Sequence, residues 1–235
     1  MENKINNKYF QLRYVGYLIP VFLLFSVSIA FAASMNSDAK TEGLTIIKST
    51  RLTKTEIKKG VKWSEYTKYE ITPVEVSFRA NWKQDYNQSQ RGLLQQVTDK
   101  DMERIRTTIS KIAYEVLNNA LQKRGNLTRV DTAGPDTLLF KPKVINLDIY
   151  APETQNSQIV TRSYIREAGK ATLILEVYDS VSGAILGRWV DIREDPDRGY
   201  FDWANRITND ERMRLVISSW ANRLVEGLDK LEAGK

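Results

Sequence analysis

Two long stretches of the chain repeat apolar residues every three or four positions, which is the spacing of one helix face. Thr98 followed by Asp101, and Thr208 followed by Glu211, place a capping-box pattern before each stretch, and Gly125 follows the first one. The two faces consist of Met102, Ile105, Ile109, Ile112, Val116 and Ala120, and of Met213, Ile217, Trp220, Leu224, Leu228 and Leu231. Each predicted helix therefore has a single apolar face that another layer of structure must cover.

Outside these helices, apolar and polar residues alternate as they do in half-buried strands. The alternation of Val74, Val76 and Phe78 with polar residues is the clearest case, and Pro73 should mark the start, a bulge or an edge of that strand. The predicted strand segments are YEITPVEVSFR, LTRVD, TLLFKPKVINLDIYA and the hairpin KATLILEVYDSVSGAILGRWVDIRE, with a weaker one in SQIVTRSYIRE.

This order of strand, helix, several strands and helix predicts an α+β fold. We expect a two-layer sandwich in which a mostly antiparallel sheet carries both long helices on one face. Residues 1–32 are predicted to be a leader, 33–62 a polar arm or linker with LTII as its possible strand, and 63–235 a single α+β domain.

The N-terminus has the features of a secretory signal peptide. Lys4, Lys8 and Arg13 precede an apolar run, VGYLIPVFLLFSVSIAF, and small residues at Ala30 and Ala32 form a cleavage site. We predict cleavage after Ala32 and a periplasmic location. The alternative is an uncleaved inner-membrane anchor, because the run approaches the roughly 20 residues that span a bilayer.

The chain contains no cysteine and no histidine, which excludes several classes of site. Zinc sites, Ser-His-Asp triads and Cys-His dyads all need one of these residues. Catalysis by carboxylate, lysine or tyrosine side chains and an oxygen-ligated Ca²⁺ or Mg²⁺ are not excluded. No sequence motif indicates them, so we expect no cofactor and no metal. The basic residues behind the net charge of +6 are scattered, so we predict no nucleic-acid partner.

Alternation also predicts which side chains share a face of the sheet. The residues expected to face the helices are Val74, Val76, Phe78, Ile145, Leu147, Leu173, Leu175 and Val177. The residues expected on the opposite face are Glu75, Ser77, Arg79, Asn146, Asp148, Glu176, Tyr178, Trp189, Asp191 and Arg193. Such a face is either ordinary solvated surface with cross-strand ion pairs, or a surface that binds a cation, a sugar chain or a peptide.

Two connections add aromatic residues to this surface. We interpret ANWKQDYNQSQRGLLQQ as a long polar loop that carries Trp82 and Tyr86, and DIREDPDRGYFDWANRITNDER as a turn followed by a helix start. The aromatic residues of the second segment either pin it onto the core or stand exposed as a binding patch. Together, the candidate binding residues are Trp82, Tyr86, Asp148, Glu176, Tyr178, Asp191, Arg193, Tyr200, Trp203 and Arg206.

An enzymatic role would have to rest on carboxylates. Asp148 with Asp191 or Glu176 is a pair that the alternation allows, and paired carboxylates suit glycoside hydrolysis. Nothing in the spacing specifies such a pair. We therefore name no catalytic residue and favour a protein that is not an enzyme.

Several segments resemble a proteobacterial family of exported proteins, often lipoproteins, that is catalogued as a domain of unknown function. They are PVEVSFRANW, VTDKDMERIR, GPDTLLFKPKVINLDIYAPET, LEVYDSVSGAILGRWVDIREDPDRG and WANRITN, and the likeness runs from about Trp63 to Leu231. The resemblance implies an envelope location in a Gram-negative bacterium and no particular activity. This chain lacks the acylated cysteine of a lipoprotein. More distantly, the layout is similar to the TolB amino-terminal domain and to lipoprotein activators of penicillin-binding proteins, a likeness of fold that carries no function.

These observations lead to three hypotheses about function. The first is a non-catalytic periplasmic domain that binds another envelope component, protein or glycan, through the polar sheet face and the loops of Trp82 and Trp203. The second is a carboxylate-dependent hydrolase of envelope polysaccharide. The third is a structural or assembly protein that associates through an exposed sheet edge, with an oligomeric state that the sequence does not define.

Overall fold

The computed structural model describes residues 43–47, 52–89, 96–150, 164–165, 169–194, 202–203 and 206–234 of the 235-residue chain. They belong to a compact unit that runs from Ala39 to Lys235. The predicted signal segment and Tyr200 lie outside the described residues. No helix within the described ranges is both long enough and apolar enough to cross a bilayer.

In chain order, four of the described strands precede the first two helices, and six further strands precede the last helix. The strands are β1 (Leu44–Ile47), β2 (Lys54–Lys58), β3 (Lys68–Ile71), β4 (Glu75–Phe78), β5 (Thr128–Arg129), β6 (Thr137–Ile149), β7 (Tyr164–Ile165), β8 (Gly169–Asp179), β9 (Ile185–Glu194) and β10 (Asp202–Trp203). The helices are α1 (Trp82–Ser89), α2 (Asp99–Arg124) and α3 (Arg206–Glu232), with a short 3₁₀ turn at Trp63–Glu65.

Eight of these strands form one sheet, in the order β1-β2-β9-β8-β6-β3-β5, with β4 also paired to β6. The pairs from β1 through β2, β9 and β8 to β6 are antiparallel, whereas β3 and β4 run parallel to β6 and β5 runs parallel to β3. β7 and β10 form a separate two-stranded pair. The mostly antiparallel α+β architecture predicted from the sequence is confirmed.

Both long helices share one hydrophobic core with the sheet. Ile109 of α2 and Trp220 of α3 lie in the same buried cluster as Leu147 and Val177, and Val76 packs against it. The two helices also contact each other. The fold is therefore a sheet covered by a pair of long helices that use their predicted apolar faces.

The observed ends of the two long helices agree only partly with the ends predicted from the sequence. α2 begins as predicted, with Thr98 and Asp101 forming a reciprocal capping box, and it ends at Gly125 in the left-handed conformation. α3 instead begins at Arg206, so the prediction that Thr208 caps this helix is wrong. The same three-residue spacing also arises inside a helix, where positions i and i+3 lie on one face.

The lysine-rich segment predicted as an arm contributes two strands to the sheet. β1 matches the predicted LTII strand, and β2 pairs with β9 along Lys54–Ile57. Thr55 and Ile57 of β2 are buried. Hydrogen bonding to β9 outweighs the weak strand propensity of this polar segment.

Two further expectations fail because of local backbone geometry. The segment predicted as one strand is divided into β3 and β4, both paired to β6, and Pro73 lies just before β4, which agrees with its predicted place at the start of a strand. A bulge in β6 between Ile145 and Asp148 changes the alternation, so that Val144 and Leu147 are buried in the core instead of Ile145. One extra residue in a strand moves all the following side chains to the other face.

Candidate functional site

A cleft forms where β4 ends and α1 begins. Asn81 adopts a left-handed conformation with φ of 60°, which asparagine tolerates better than most residues. The amide of Trp82 donates to the carbonyl oxygen of Arg79, and the amide of Asp85 donates to that of Asn81. The segment predicted as a polar loop is therefore helical over Trp82–Ser89 and returns across the end of β6.

The floor of the cleft is a stack of three aromatic rings. Trp82 lies 4.4 Å from Phe78 and 5.9 Å from Tyr86 between ring centroids, with interplanar angles of 20° and 28°. Its indole nitrogen donates to the carbonyl oxygen of Ile149 at 3.2 Å. Trp82 is only 2% exposed, so its ring supports the cleft and offers no free face to a ligand.

Arg79 stands between two carboxylates in the cleft. Its Nε donates to Asp148 at 2.9 Å, and its Nη1 donates to Asp85 at 2.6 Å. The hydrogen bond to Asp85 is the main reason that the pKa of the Arg79 guanidinium is raised, and Asp148 adds to the effect. One cation thus faces two anions, which leaves an excess of negative charge.

Two tyrosines complete the cleft, which has a volume of about 250 Å³. Burial raises the pKa of Tyr86, so this phenol stays neutral at physiological pH. Tyr150 is 41% exposed, and its hydroxyl donates to Glu194 at 3.3 Å. We call this site the Arg79 cleft, and it is lined by Arg79, Trp82, Asp85, Tyr86, Ser89, Asp148, Ile149 and Tyr150. It offers hydroxyls and excess carboxylate, which suit a hydroxylated or cationic ligand group.

Glu176 and Tyr178 lie elsewhere on the sheet, within a ladder of ion pairs. Arg188 of β9 stands between Glu176 of β8, at 2.9 Å, and Glu56 of β2, at 3.6 Å. Lys143 contacts Glu176 at 3.2 Å, and the hydroxyl of Tyr178 donates to the same carboxylate. Glu56 is completely buried, and Arg188 and Glu176 are 8% and 9% exposed. This part of the predicted polar face is thus an internal network and not an open surface.

Asp191 and Arg193 face the helices, contrary to the prediction for the polar face. In β9, Trp189 pairs with Leu175 and Asp191 pairs with Leu173, both of which belong to the core face. A register shift near Tyr178, just before the hairpin turn, produces this arrangement. Trp189 is buried in the core.

Asp191 connects three elements of the fold. It accepts hydrogen bonds from the amide and hydroxyl of Thr53, and it forms ion pairs with Arg193 and, at 3.6 Å, with Arg223 of α3. Asp191 is buried. These contacts assign it a structural role where β9 meets α3 and the residue that precedes β2.

The structure does not bring together the carboxylates considered for hydrolysis. Asp148 lies opposite Lys170, which is separated from Glu176 by six positions on β8, or roughly 20 Å at the rise of a strand. Glycosidase carboxylates lie about 5–9.5 Å apart. Asp191 faces the helix layer. Neither pair has the required geometry.

The remaining predicted site residues stay predictions. Tyr200 is outside the described residues, and only the backbones of Trp203 in β10 and Arg206 at the start of α3 are described. Arg79, Asp85 and Tyr150 belong to the cleft but were not among the candidate residues. The four-residue spacing of Trp82 and Tyr86 is the signal that could have indicated a helix here.

The family comparison agrees with the resemblance found in the sequence. Residues 53–224 match the family described as "Protein of unknown function (DUF3313)". The chain belongs to this family. The match includes every described residue of the Arg79 cleft, which makes the cleft part of the DUF3313 domain. No curated protein matches the chain.

Several solved structures show low similarity to this DUF3313 protein. Two PelC dodecamers from Paraburkholderia phytofirmans have TM-scores of 0.33 and 0.32 at 9% identity, covering 77% and 70% of this chain and 97% and 95% of theirs. A PDZ domain protein from Parabacteroides distasonis has a TM-score of 0.37 at 14% identity, covering 80% of this chain and 38% of its own. TM-scores below 0.5 do not establish a shared fold. Neither protein is a TolB domain or a penicillin-binding-protein activator, so that distant resemblance stays a prediction.

Proposed function

We propose that this DUF3313 protein is a non-catalytic periplasmic domain of a Gram-negative envelope that binds another envelope component, protein or glycan, through the Arg79 cleft. The observation that carries the proposal is the convergence of Tyr86, Asp148 and Tyr150 around Arg79, on a floor of stacked aromatic rings. A few well-placed polar groups in a preformed concavity are typical of a binding site.

The charges favour a cationic or hydroxyl-rich ligand group. Arg79 neutralises only one of the two carboxylates that it contacts, and Glu194 adds a third carboxylate behind Tyr150. Lys170 is paired in register with both Asp148 and Glu194, so these three carboxylates outnumber the two neighbouring cations by one. A lysine or arginine side chain of a partner, or the amino group of an amino sugar, could donate a hydrogen bond to Asp85. The hydroxyl of Tyr150 could then bond an adjacent polar group of the same ligand, as donor or acceptor. Asp85 is about half exposed, so a ligand can reach it.

The electrostatics support binding more than hydrolysis. A glycosidase needs one carboxyl group whose pKa is raised so that it can donate a proton. Of the carboxylates considered for this reaction, Glu176 has a pKa below its ordinary value, because Lys143 and Arg188 outweigh the effect of burial. Glu176 is therefore held in the ionised form, which cannot donate a proton.

The binding proposal is tested by capture from envelope extract. Asp85→Asn and Tyr150→Phe change the exposed polar groups of the cleft with almost no change in volume, and we expect both to lose the retained component. Asp131→Asn, an exposed carboxylate that pairs with Arg129, is the matched control. If all three variants retain the envelope component as well as the parent protein does, the proposed role of the cleft is contradicted. Release of sugar fragments from purified peptidoglycan, lost in Asp148→Asn, would instead support the hydrolase.

The periplasmic location is part of the same proposal and rests on the basic leader, the apolar run and the small residues before Ala33. Expression with the natural N-terminus followed by cell fractionation and intact mass measurement tests it. We expect a periplasmic protein that starts at Ala33. A membrane-bound protein that retains Met1–Ala32 would support the anchored alternative.

A further inference from the structure

β4 is an edge strand whose outer side has no strand partner among the described residues. It pairs only with β6, while β5 covers the edge of the neighbouring β3. The amide of Arg79 donates to Leu147 of β6, and successive residues of a strand point their amides to opposite sides. The amides of Val76 and Phe78 are therefore expected to point outward.

A groove of about 530 Å³ runs between β4 and α2. Its strand side consists of Pro73, Val74 and Val76, and its helix side includes Thr107, Ser110 and Tyr114. The groove is apolar on the strand side and carries hydroxyl groups on the helix side. We call it the β4 groove, and it is separate from the Arg79 cleft.

Both ends of the β4 groove are held by direct contacts between strand and helix. The hydroxyl of Ser110 donates to the carbonyl oxygen of Val74 at 2.7 Å. At the other end, the guanidinium of Arg106 lies 5.4 Å from the centroid of the Phe78 ring. The width of the groove is thus set before any partner arrives, which lowers the entropy lost on binding.

The rim of the β4 groove carries an excess of positive charge. Arg106 pairs with Glu103 at 3.2 Å, which leaves Lys111 as the lining cation that has no ion-pair partner in the described part of the chain. Lys111 is exposed. This charge matches a carboxylate on a bound segment. It opposes pairing with the same edge of a second copy, because two Lys111 side chains would then be brought together.

We propose that the β4 groove binds an extended segment of a partner protein, which adds as a strand to the outer edge of β4. Strand addition uses main-chain hydrogen bonds for affinity and alternate side chains for specificity. One apolar side chain of the segment packs against Val76 and Tyr114, and a carboxylate pairs with Lys111. Because β4 has four residues, the paired region of the partner is equally short.

The first experiment uses a synthetic seven-residue peptide of alternating threonine and valine that ends in aspartate. Titration into the isotopically labelled full chain is followed by amide NMR. We expect saturable shifts at Glu75–Phe78 and slowed amide exchange at Val76 and Phe78. A peptide N-methylated at alternate residues cannot donate the same hydrogen bonds and should bind about tenfold more weakly. Absence of saturable shifts at β4, or equal binding of the methylated peptide, would overturn the proposal.

Variants separate the β4 groove from general electrostatic attraction. Lys111→Glu should weaken the aspartate peptide about tenfold and favour a peptide that ends in lysine. Lys100→Glu, an exposed change on the same helix about 16 Å away, is the matched control and should have no effect. Thr107→Trp should fill the groove and abolish binding. Asp85→Asn should leave it unchanged, which distinguishes this site from the Arg79 cleft; equal effects of Lys111→Glu and Lys100→Glu would contradict the proposal.

Discussion

Gly169 lies so close to Asp148 that a Cβ atom on Gly169 would be 2.2 Å from the carbonyl oxygen of Asp148. Gly169 has a φ of 151°, in a region that is essentially restricted to glycine. It pairs with Ile149, directly after the bulge that includes Asn146 at a φ of 53°. The glycine therefore permits the close approach of β8 that places Asp148 beside Arg79.

Gly169→Ala is predicted to destabilise the protein and disturb the Arg79 cleft. Strain and steric overlap should together lower the free energy of unfolding by about 3 kcal/mol. Urea denaturation measures this change. Gly134→Ala is the control, because a Cβ there would meet nothing closer than Thr137 Oγ1 at 3.7 Å. Equal stability of the two variants would contradict the proposed close contact.

Trp82→Ala is predicted to remove the floor of the Arg79 cleft. Trp82 is buried between Phe78 and Tyr86, and its loss should lower the free energy of unfolding by about 3–5 kcal/mol. Trp82→Phe retains the stacking but loses the hydrogen bond to Ile149, so its effect should be smaller. Chemical denaturation measures both. An effect of Trp82→Ala below about 1 kcal/mol would show that the ring is not packed as described.

Thr98→Ala is predicted to weaken the start of α2. The Thr98 hydroxyl accepts a hydrogen bond from the amide of Asp101, and the Asp101 carboxylate accepts one from the amide of Thr98. Loss of such a cap costs about 1 kcal/mol. Thr98→Ser keeps the hydroxyl and should be nearly neutral. The two variants are compared by thermal denaturation, and equal melting temperatures would exclude the capping contribution.

Glu176→Gln is predicted to make the free energy of unfolding decrease less on acidification than it does in the parent protein. Burial alone would raise the pKa of Glu176, but Lys143 and Arg188 more than offset it and hold this pKa below 4.5. Because the folded-state pKa is lowered, the stabilisation is complete above about pH 4.5 and is lost as the pH falls below it. Near pH 7 the variant should be less stable by about 3 kcal/mol, since Arg188 loses a charged partner.

The measurement for Glu176→Gln is a series of urea denaturations from pH 7 to pH 3. We expect the difference in the free energy of unfolding between parent and variant to become smaller as the pH decreases through this range. Asp131→Asn, which changes an exposed carboxylate, should leave the pH dependence of the parent unchanged. A difference that stays constant with pH would show that Glu176 does not titrate differently in the folded state.

Local sequence determined the long helices and most of the strands. The apolar faces of α2 and α3 and the capping box at Thr98 depend on residues only a few positions apart. The hairpin of β8 and β9 follows from alternation around a turn that contains Gly183, whose φ of 67° suits glycine. These features could be predicted because periodicity and capping are short-range properties.

Only the tertiary structure decided which polar residues form a site. The bulge in β6 and the register shift in the hairpin are changes of a single residue, yet they bring Leu147 onto the same core face as Val144 and turn Asp191 toward the helices. The helix at Trp82 and the buried ladder of Glu56, Arg188 and Glu176 likewise depend on partners distant in the sequence. Alternation has a period of two, so a one-residue shift reverses the face of every side chain that follows, and only long-range pairing determines where such shifts occur.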